Sequence, residues 1–243
     1  MRESAAVVLG IPLIGALPRR VQLALPGAGS GRLSRTSTTY AAPADLPVQE
    51  VDGVLVTSPG RTVVDLARGR PFRSGLAAAD AVLADGRASL EEMIGLVEQD
   101  AGRPGVARAR LVLQYADARA ESPAESLSRA VMIEHRLPLP DLQHRVHEPD
   151  GAFVGRVDFF WEVLGVVGEI DGRIKFTEPM AGSDPAGRAA DLLQRDSRLA
   201  RVMGSPPVHW TWDDAYREAE MLRRLSMAGV EPGLSRPTPP NHV

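Results

Sequence analysis

No cysteine occurs in the 243 residues, which removes disulfides, zinc–thiolate sites and cysteine nucleophiles together. Lysine is almost missing as well: of 28 cationic residues only Lys175 is a lysine. No apolar run approaches the roughly 18 residues of a membrane-spanning helix. The first twenty residues, MRESAAVVLGIPLIGALPRR, come nearest to a signal peptide. Gly10, Pro12 and Gly15 interrupt their apolar stretch, and Glu3 stands where a basic n-region belongs. A cytoplasmic protein is expected. There is no excess of positive charge either, since 28 cations against 31 anions leave −3. That balance argues against a protein that coats nucleic acid and leaves room for a local basic groove.

What is present is an ordinary globular mix, 44% hydrophobic and 24% charged, which excludes wholesale disorder and coiled coil. The length accommodates one large domain or two small ones. VQLAL, ahead of Pro26 and Gly27, alternates as a strand, and GAGSGRLSRTSTT reads as a loop or long hairpin connection. A short strand at Val54 to Val56 precedes Thr57-Ser58-Pro59, which carries the chemistry of a helix start. Helices follow from Gly75 to about Tyr115, one of them capped by Ser89.

A second unit begins near Glu121. Ser122-Pro123-Ala124-Glu125 spells a capping box with proline at the first helical position. Beyond it come a helix to Pro138, an extended LPDLQHRV, the strands GRVDFFW and GVVGEIDG, and a helix to Met203. PVHWTW is a strand, and DDAYREAEMLRRLSMAG reads as one last amphipathic helix. The proline-rich tail from Glu231 is expected to be disordered. The division is therefore 1–118, 119–230 and a tail, 231–243.

The chemistry concentrates in RVDFFWEVLGVVGEIDGRIKF. If its two strands pair through the loop Glu162 to Gly165, Trp161 opposes Val166, Phe160 opposes Val167, and Asp158 opposes Glu169. Alternation then puts Asp158, Glu169 and Asp171 on one face and Val157, Phe159, Trp161, Val166 and Ile170 on the other. Opposed like charges destabilise a sheet and call for a cation. Mg²⁺ is the natural one: oxygen ligands suit it, and it polarises phosphodiesters and activates water. Asp158, Glu169 and Asp171 are the candidate ligands, with Lys175 placed to stabilise transition-state charge. The competing possibility is that Arg156 and Lys175 simply pair with these acids. His209 reads as a packing residue.

At these residues the chain resembles a family of actinobacterial proteins whose C-terminal domain is similar to the very-short-patch-repair (Vsr-like) endonucleases of the PD-(D/E)XK superfamily. ESPAESLSR, LPLPDLQHRV, GRVDFFW, VVGEIDGRIKF, RDSRLARVMG and PVHWTW carry the resemblance. It implies an α/β (α+β) fold, a mixed central sheet flanked by helices. It implies a Mg²⁺-dependent DNA endonuclease in repair or phage defence, with Asp158, Glu169, Lys175 and Glu125 catalytic. Arg129, Arg195 and Arg198 would contact DNA. The usual E-x-K lysine position holds Asp171 here, and the cation comes later, at Lys175.

The first half, through SAAVVLGIPL, VQLALPG and GVLVTSPGRTVVDLAR, is similar to the region of type IV abortive-infection (AbiEi-like) antitoxins, again a smaller α+β unit. Such proteins usually carry a winged helix before it, and the chain is expected to lack that segment. The alternative function is a non-catalytic DNA-binding or antitoxin-like regulator that keeps the nuclease fold. A third is an interaction module with a toxin partner.

Overall fold

The computed structural model describes residues 1–27, 30–171, 185–233 and 237–240. The chain is a mixed α+β protein whose contacts divide it into two compact units, Met1–Ser126 with Pro239–Val243, and Leu127–Thr238.

The first unit opens with α1 (Arg2–Leu9), which Gly10 ends in a left-handed conformation at φ 65°. The chain then forms β1 (Val21–Pro26), β2 (Arg32–Leu33), β3 (Ser37–Ala42), β4 (Val48–Val51) and β5 (Val54–Thr57). The polar segment expected as a loop thus supplies two strands. β1 and β3 pair in parallel, β2 lies antiparallel on β3, and β4–β5 is a separate hairpin. Four helices follow: α2 (Pro59–Gly69), α3 (Phe72–Ala84), α4 (Leu90–Gln99) and α5 (Val106–Tyr115). Their starts obey the local chemistry. The Ser58 hydroxyl accepts from the Arg61 N–H, with Pro59 opening the helix, and the Ser89 hydroxyl accepts from the Glu92 N–H. Val63, Val64, Leu66, Leu76, Val82, Met93 and Val112 form the core between these helices, each fully excluded from solvent.

α6 (Pro123–Glu134) leads into the second unit, and a four-stranded sheet ordered β6 (Asp141–His147), β7 (Phe153–Trp161), β8 (Val166–Asp171), β9 (Val208–Thr211) forms its centre. β6, β7 and β8 run antiparallel, and β9 returns parallel to β8 after α7 (Pro185–Met203). The β7–β8 register is the one expected, Trp161 on Val166 and Phe160 on Val167. A single 3₁₀ turn, Glu162–Leu164, closes it, with Gly165 left-handed at φ 62°. The last helical stretch differs from expectation. It breaks into α8 (Trp212–Arg217) and α9 (Ala219–Met227), because Glu218 takes a positive φ of 69°. Thr211 and Asp214 cap α8 reciprocally. In the tail, the Gly233 N–H donates to the Arg136 carbonyl at 2.8 Å.

Both sheet faces are packed. On one, Trp210 is fully buried, stacks on Phe159 at 5.2 Å between centroids, and donates its indole N–H to the Ser128 hydroxyl at 2.8 Å. Gly168 is what admits that ring: a β-carbon there would lie 2.6 Å from it. On the other face Leu199 of α7 closes over Phe160 and Val167, with Val146 and Val154 beside them. The acid-bearing face is therefore half apolar core, and the carboxylates occupy only its far end.

Candidate functional site

That far end gathers polar and charged residues from four neighbouring elements. β7 brings Asp158, β8 brings Glu169 and Asp171, β9 brings His209, and α7 lays Arg195 and Asp196 over them. The parallel register sets Glu169 beside His209 and Asp171 beside Thr211, so the acids and the histidine share a face.

Each expected ligand is already engaged within the protein. Asp158 Oδ2 accepts from the Ile170 backbone N–H at 3.0 Å, so the side chain takes a donor of the neighbouring strand. Glu169 Oε1 accepts from Arg195 Nη2 at 2.7 Å, and the same nitrogen donates to the Arg156 carbonyl at 2.6 Å. Asp171 Oδ1 lies 3.1 Å from His209 Nδ1, and Asp196 Oδ2 lies 2.9 Å from His209 Nε2. The histidine is set between two carboxylates, one at each ring nitrogen. His209, expected as a buried or packing residue rather than a ligand, is thus a partly buried bridge in a polar network. Nothing local marks it, because its partners come from β8 and α7 and only the β8–β9 pairing brings them together.

Burial pushes the Glu169 carboxyl up to about 7, against the Arg195 hydrogen bond, and the nearby Asp158 charge adds to the rise. Its unfolded value is near the ordinary 4.5. A carboxyl raised on folding holds its proton longer in the native state, so the native state gains stability relative to the unfolded chain as pH falls. The wild type is therefore expected to lose stability between about pH 4.5 and 7 from this group alone. The raised pKa corresponds to about 3 kcal/mol in all. Glu169→Gln should flatten that part of the profile. Chemical denaturation at pH 5 and pH 8 checks it: an equal pH dependence in both proteins excludes Glu169 as the source.

The other expected site residues lie as follows. Glu125 is 5% exposed and serves the start of α6. It accepts from the Ser122 hydroxyl at 2.7 Å and the Glu121 N–H at 3.0 Å, while its own N–H donates to Ser122. Arg129 is buried at 2% exposure, which corrects its expected place on a DNA-facing surface: the guanidinium does not reach solvent. Arg198 is partly exposed, 3.4 Å from the Phe153 carbonyl. Asp171 pairs with His209, where Arg156 was the expected partner. Lys175 lies outside the described residues.

Among the described residues no group of three acid or histidine side chains is placed to hold a metal. The donor chemistry agrees. A divalent cation needs free anionic oxygens, whereas Arg195 supplies the positive charge beside Glu169 and a backbone N–H occupies Asp158. Among the described residues the set as folded does not fit Mg²⁺. Among the described residues no helix is long and apolar enough to cross a membrane.

Comparison with known proteins adds to this geometry. Residues 2–115 match the family described as the AbiEi antitoxin C-terminal domain. Two proteins of Mycobacterium tuberculosis, the uncharacterized protein Rv2248 of strain H37Rv and the uncharacterized protein MT2308 of strain CDC 1551, are each 36% identical over 192 residues, covering 75% of this chain and 67% of the relative. Three quarters of the chain exceeds the first unit, so the similarity runs on into the second. No solved structure matches the chain. The chain belongs to the family of these mycobacterial proteins, and its first unit carries the match to the AbiEi antitoxin C-terminal domain.

Proposed function

We propose that the protein is a non-catalytic, antitoxin-like regulator that binds DNA and acts on a toxin partner. The match of residues 2–115 to the antitoxin domain carries this reading. The second unit supports it from the side of chemistry. Its acids are engaged by Arg195 and His209 of the same chain, and among the described residues no group of three acid or histidine side chains could hold a metal. The mixed sheet with helices on both faces, together with GRVDFFW and VVGEIDG, suits a restriction-endonuclease-like core kept as a scaffold.

Two assays on the full chain decide between regulator and nuclease. In the presence of a chelator, a mobility shift on duplex DNA should appear and weaken steeply with salt, as binding through phosphates requires. With magnesium, supercoiled plasmid should stay intact. Nicking by the wild type that disappears in Asp158→Asn would overturn the reading in favour of a Mg²⁺-dependent endonuclease using Asp158, Glu169 and Lys175. A chain that shifts no DNA at low salt would remove DNA from its partners.

A further inference from the structure

The first unit contains a cavity of about 400 Å³ that the antitoxin-like reading does not use. Its wall is built from a helical spacing. Arg61, Asp65 and Arg68 stand at i, i+4 and i+7 of α2, hence on one face, and all three line the cavity. The Met1 amine, Arg2 of α1, Tyr40 of β3 and Arg103 of the α4–α5 connection complete the polar lining.

Charge in this wall does not balance. Asp100, at the end of α4, takes Arg61, Arg68 and Arg103 on its two oxygens. Asp65 pairs with Arg61 through Oδ1. Four guanidiniums therefore face two carboxylates, and the Met1 ammonium lines the same cavity, so positive charge is in excess at a partly enclosed surface. Burial pulls the Arg68 guanidinium below its ordinary value although Asp100 and Asp65 oppose this, and Arg61 and Arg2 add to the fall. Two polar atoms of the lining are also left over. Asp65, 2% exposed, has Oδ2 buried without a hydrogen-bond partner, and so has the Nε of Arg2. A buried polar atom without a partner costs about 1–3 kcal/mol, so each calls for an explanation. Arg2 meanwhile lies over the Tyr40 ring at 4.1 Å, which fixes its stem beside the opening.

An excess of guanidinium donors calls for an anion rich in acceptor oxygens. Asp65 lines the same cavity, and its buried, unpartnered Oδ2 calls for a donor, such as a hydroxyl. The volume is that of a small-molecule site. We propose that this cavity binds a small sugar phosphate of the mononucleotide class, its phosphate held by Arg2, Arg68 and Arg103 and a sugar hydroxyl donating to Asp65 Oδ2. The site is separate from the acid–histidine network of the second unit and independent of the regulator reading.

Calorimetric titration of the full chain with inorganic phosphate, ribose 5-phosphate and adenosine monophosphate tests it. Both sugar phosphates should bind saturably and at least about tenfold more tightly than phosphate, since only they satisfy Asp65. Arg103→Glu should weaken them by about tenfold or more. Arg103 is 41% exposed and shares Asp100 with two other arginines, so the fold should survive the change, and far-UV circular dichroism checks that it does. Arg2→Gln, which touches no carboxylate of the cluster, should weaken binding in the same direction. Phosphate binding as tightly as ribose 5-phosphate overturns the hydroxyl contact. No saturable binding, or binding unmoved by both variants, overturns the site. If a 5′-phosphorylated oligonucleotide binds in an Arg103-dependent way and adenosine monophosphate does not, the ligand is a nucleic-acid end and the small-molecule proposal fails.

Discussion

Trp210→Ala is expected to destabilise the second unit by about 3–5 kcal/mol, the range for deleting a fully buried large aromatic. The indole is completely excluded from solvent, and three things are lost with it. The apolar transfer energy goes first. The offset stack on Phe159, at 5.2 Å and an interplanar angle of 26°, goes second, a contact worth about 0.5–1.5 kcal/mol beyond area. The hydrogen bond to Ser128 goes third. The vacancy cannot collapse easily, because the ring lies against Gly168, whose missing side chain already defines its slot. Trp210→Phe should recover much of the packing and none of the hydrogen bond, falling between the two. Urea denaturation followed by far-UV circular dichroism measures all three proteins. A loss below about 1 kcal/mol for alanine would mean that the sheet closes over the gap.

Much of this arrangement was legible from local pattern. The β7–β8 register follows from alternation and loop length, and it places the three acids together with Phe160 on one face and Trp161 on the other. Ser58, Ser89 and Ser122 mark their helix starts because capping is decided within four residues. What the sequence hides is non-local. The parallel β1–β3 pairing joins the legible strand VQLAL to a segment whose polar composition reads as loop, since its exposed face needs no apolar residues. His209 and Asp196 meet Asp171 only through the β8–α7–β9 crossover. The α8–α9 break depends on one residue, Glu218, in a conformation that its amphipathic surroundings do not signal. The arginine cavity has the same character. Arg61, Asp65 and Arg68 show their shared face in the sequence, but Arg2 and Arg103 join them only in the folded unit. The motif resemblance, by contrast, singles out acids that the fold brings to one face and provides with protein partners.

Asp100→Ala is the substitution expected to be most damaging to the first unit. The carboxylate is 1% exposed and holds three guanidiniums, two of them, Arg61 and Arg68, with little access to water. Burial alone would raise its pKa, but the Arg61 hydrogen bond and the charges of Arg61, Arg68 and Arg103 hold it below the ordinary carboxylate value. Removing one partner of a buried ion pair leaves the other charge uncompensated and costs about 3–5 kcal/mol. Here the remaining cations also repel one another, with Asp65 as their nearest counter-charge. Asp100→Asn keeps the shape and tests charge alone, so it should lose nearly as much. The pH dependence has a definite sign. A carboxyl depressed on folding contributes stability that is complete above its unfolded value, near 4, and is lost as pH falls through the folded one. The wild type should therefore weaken in acid through this group, and both variants should lack that component. All three tryptophans, Trp161, Trp210 and Trp212, lie in the second unit, so their fluorescence does not report directly on this one. Amide hydrogen exchange across α2 and α4 does. Protection there that is unchanged in Asp100→Ala would show that the arginines find solvent once released, and that the cluster contributes charge to the cavity without holding the helices together.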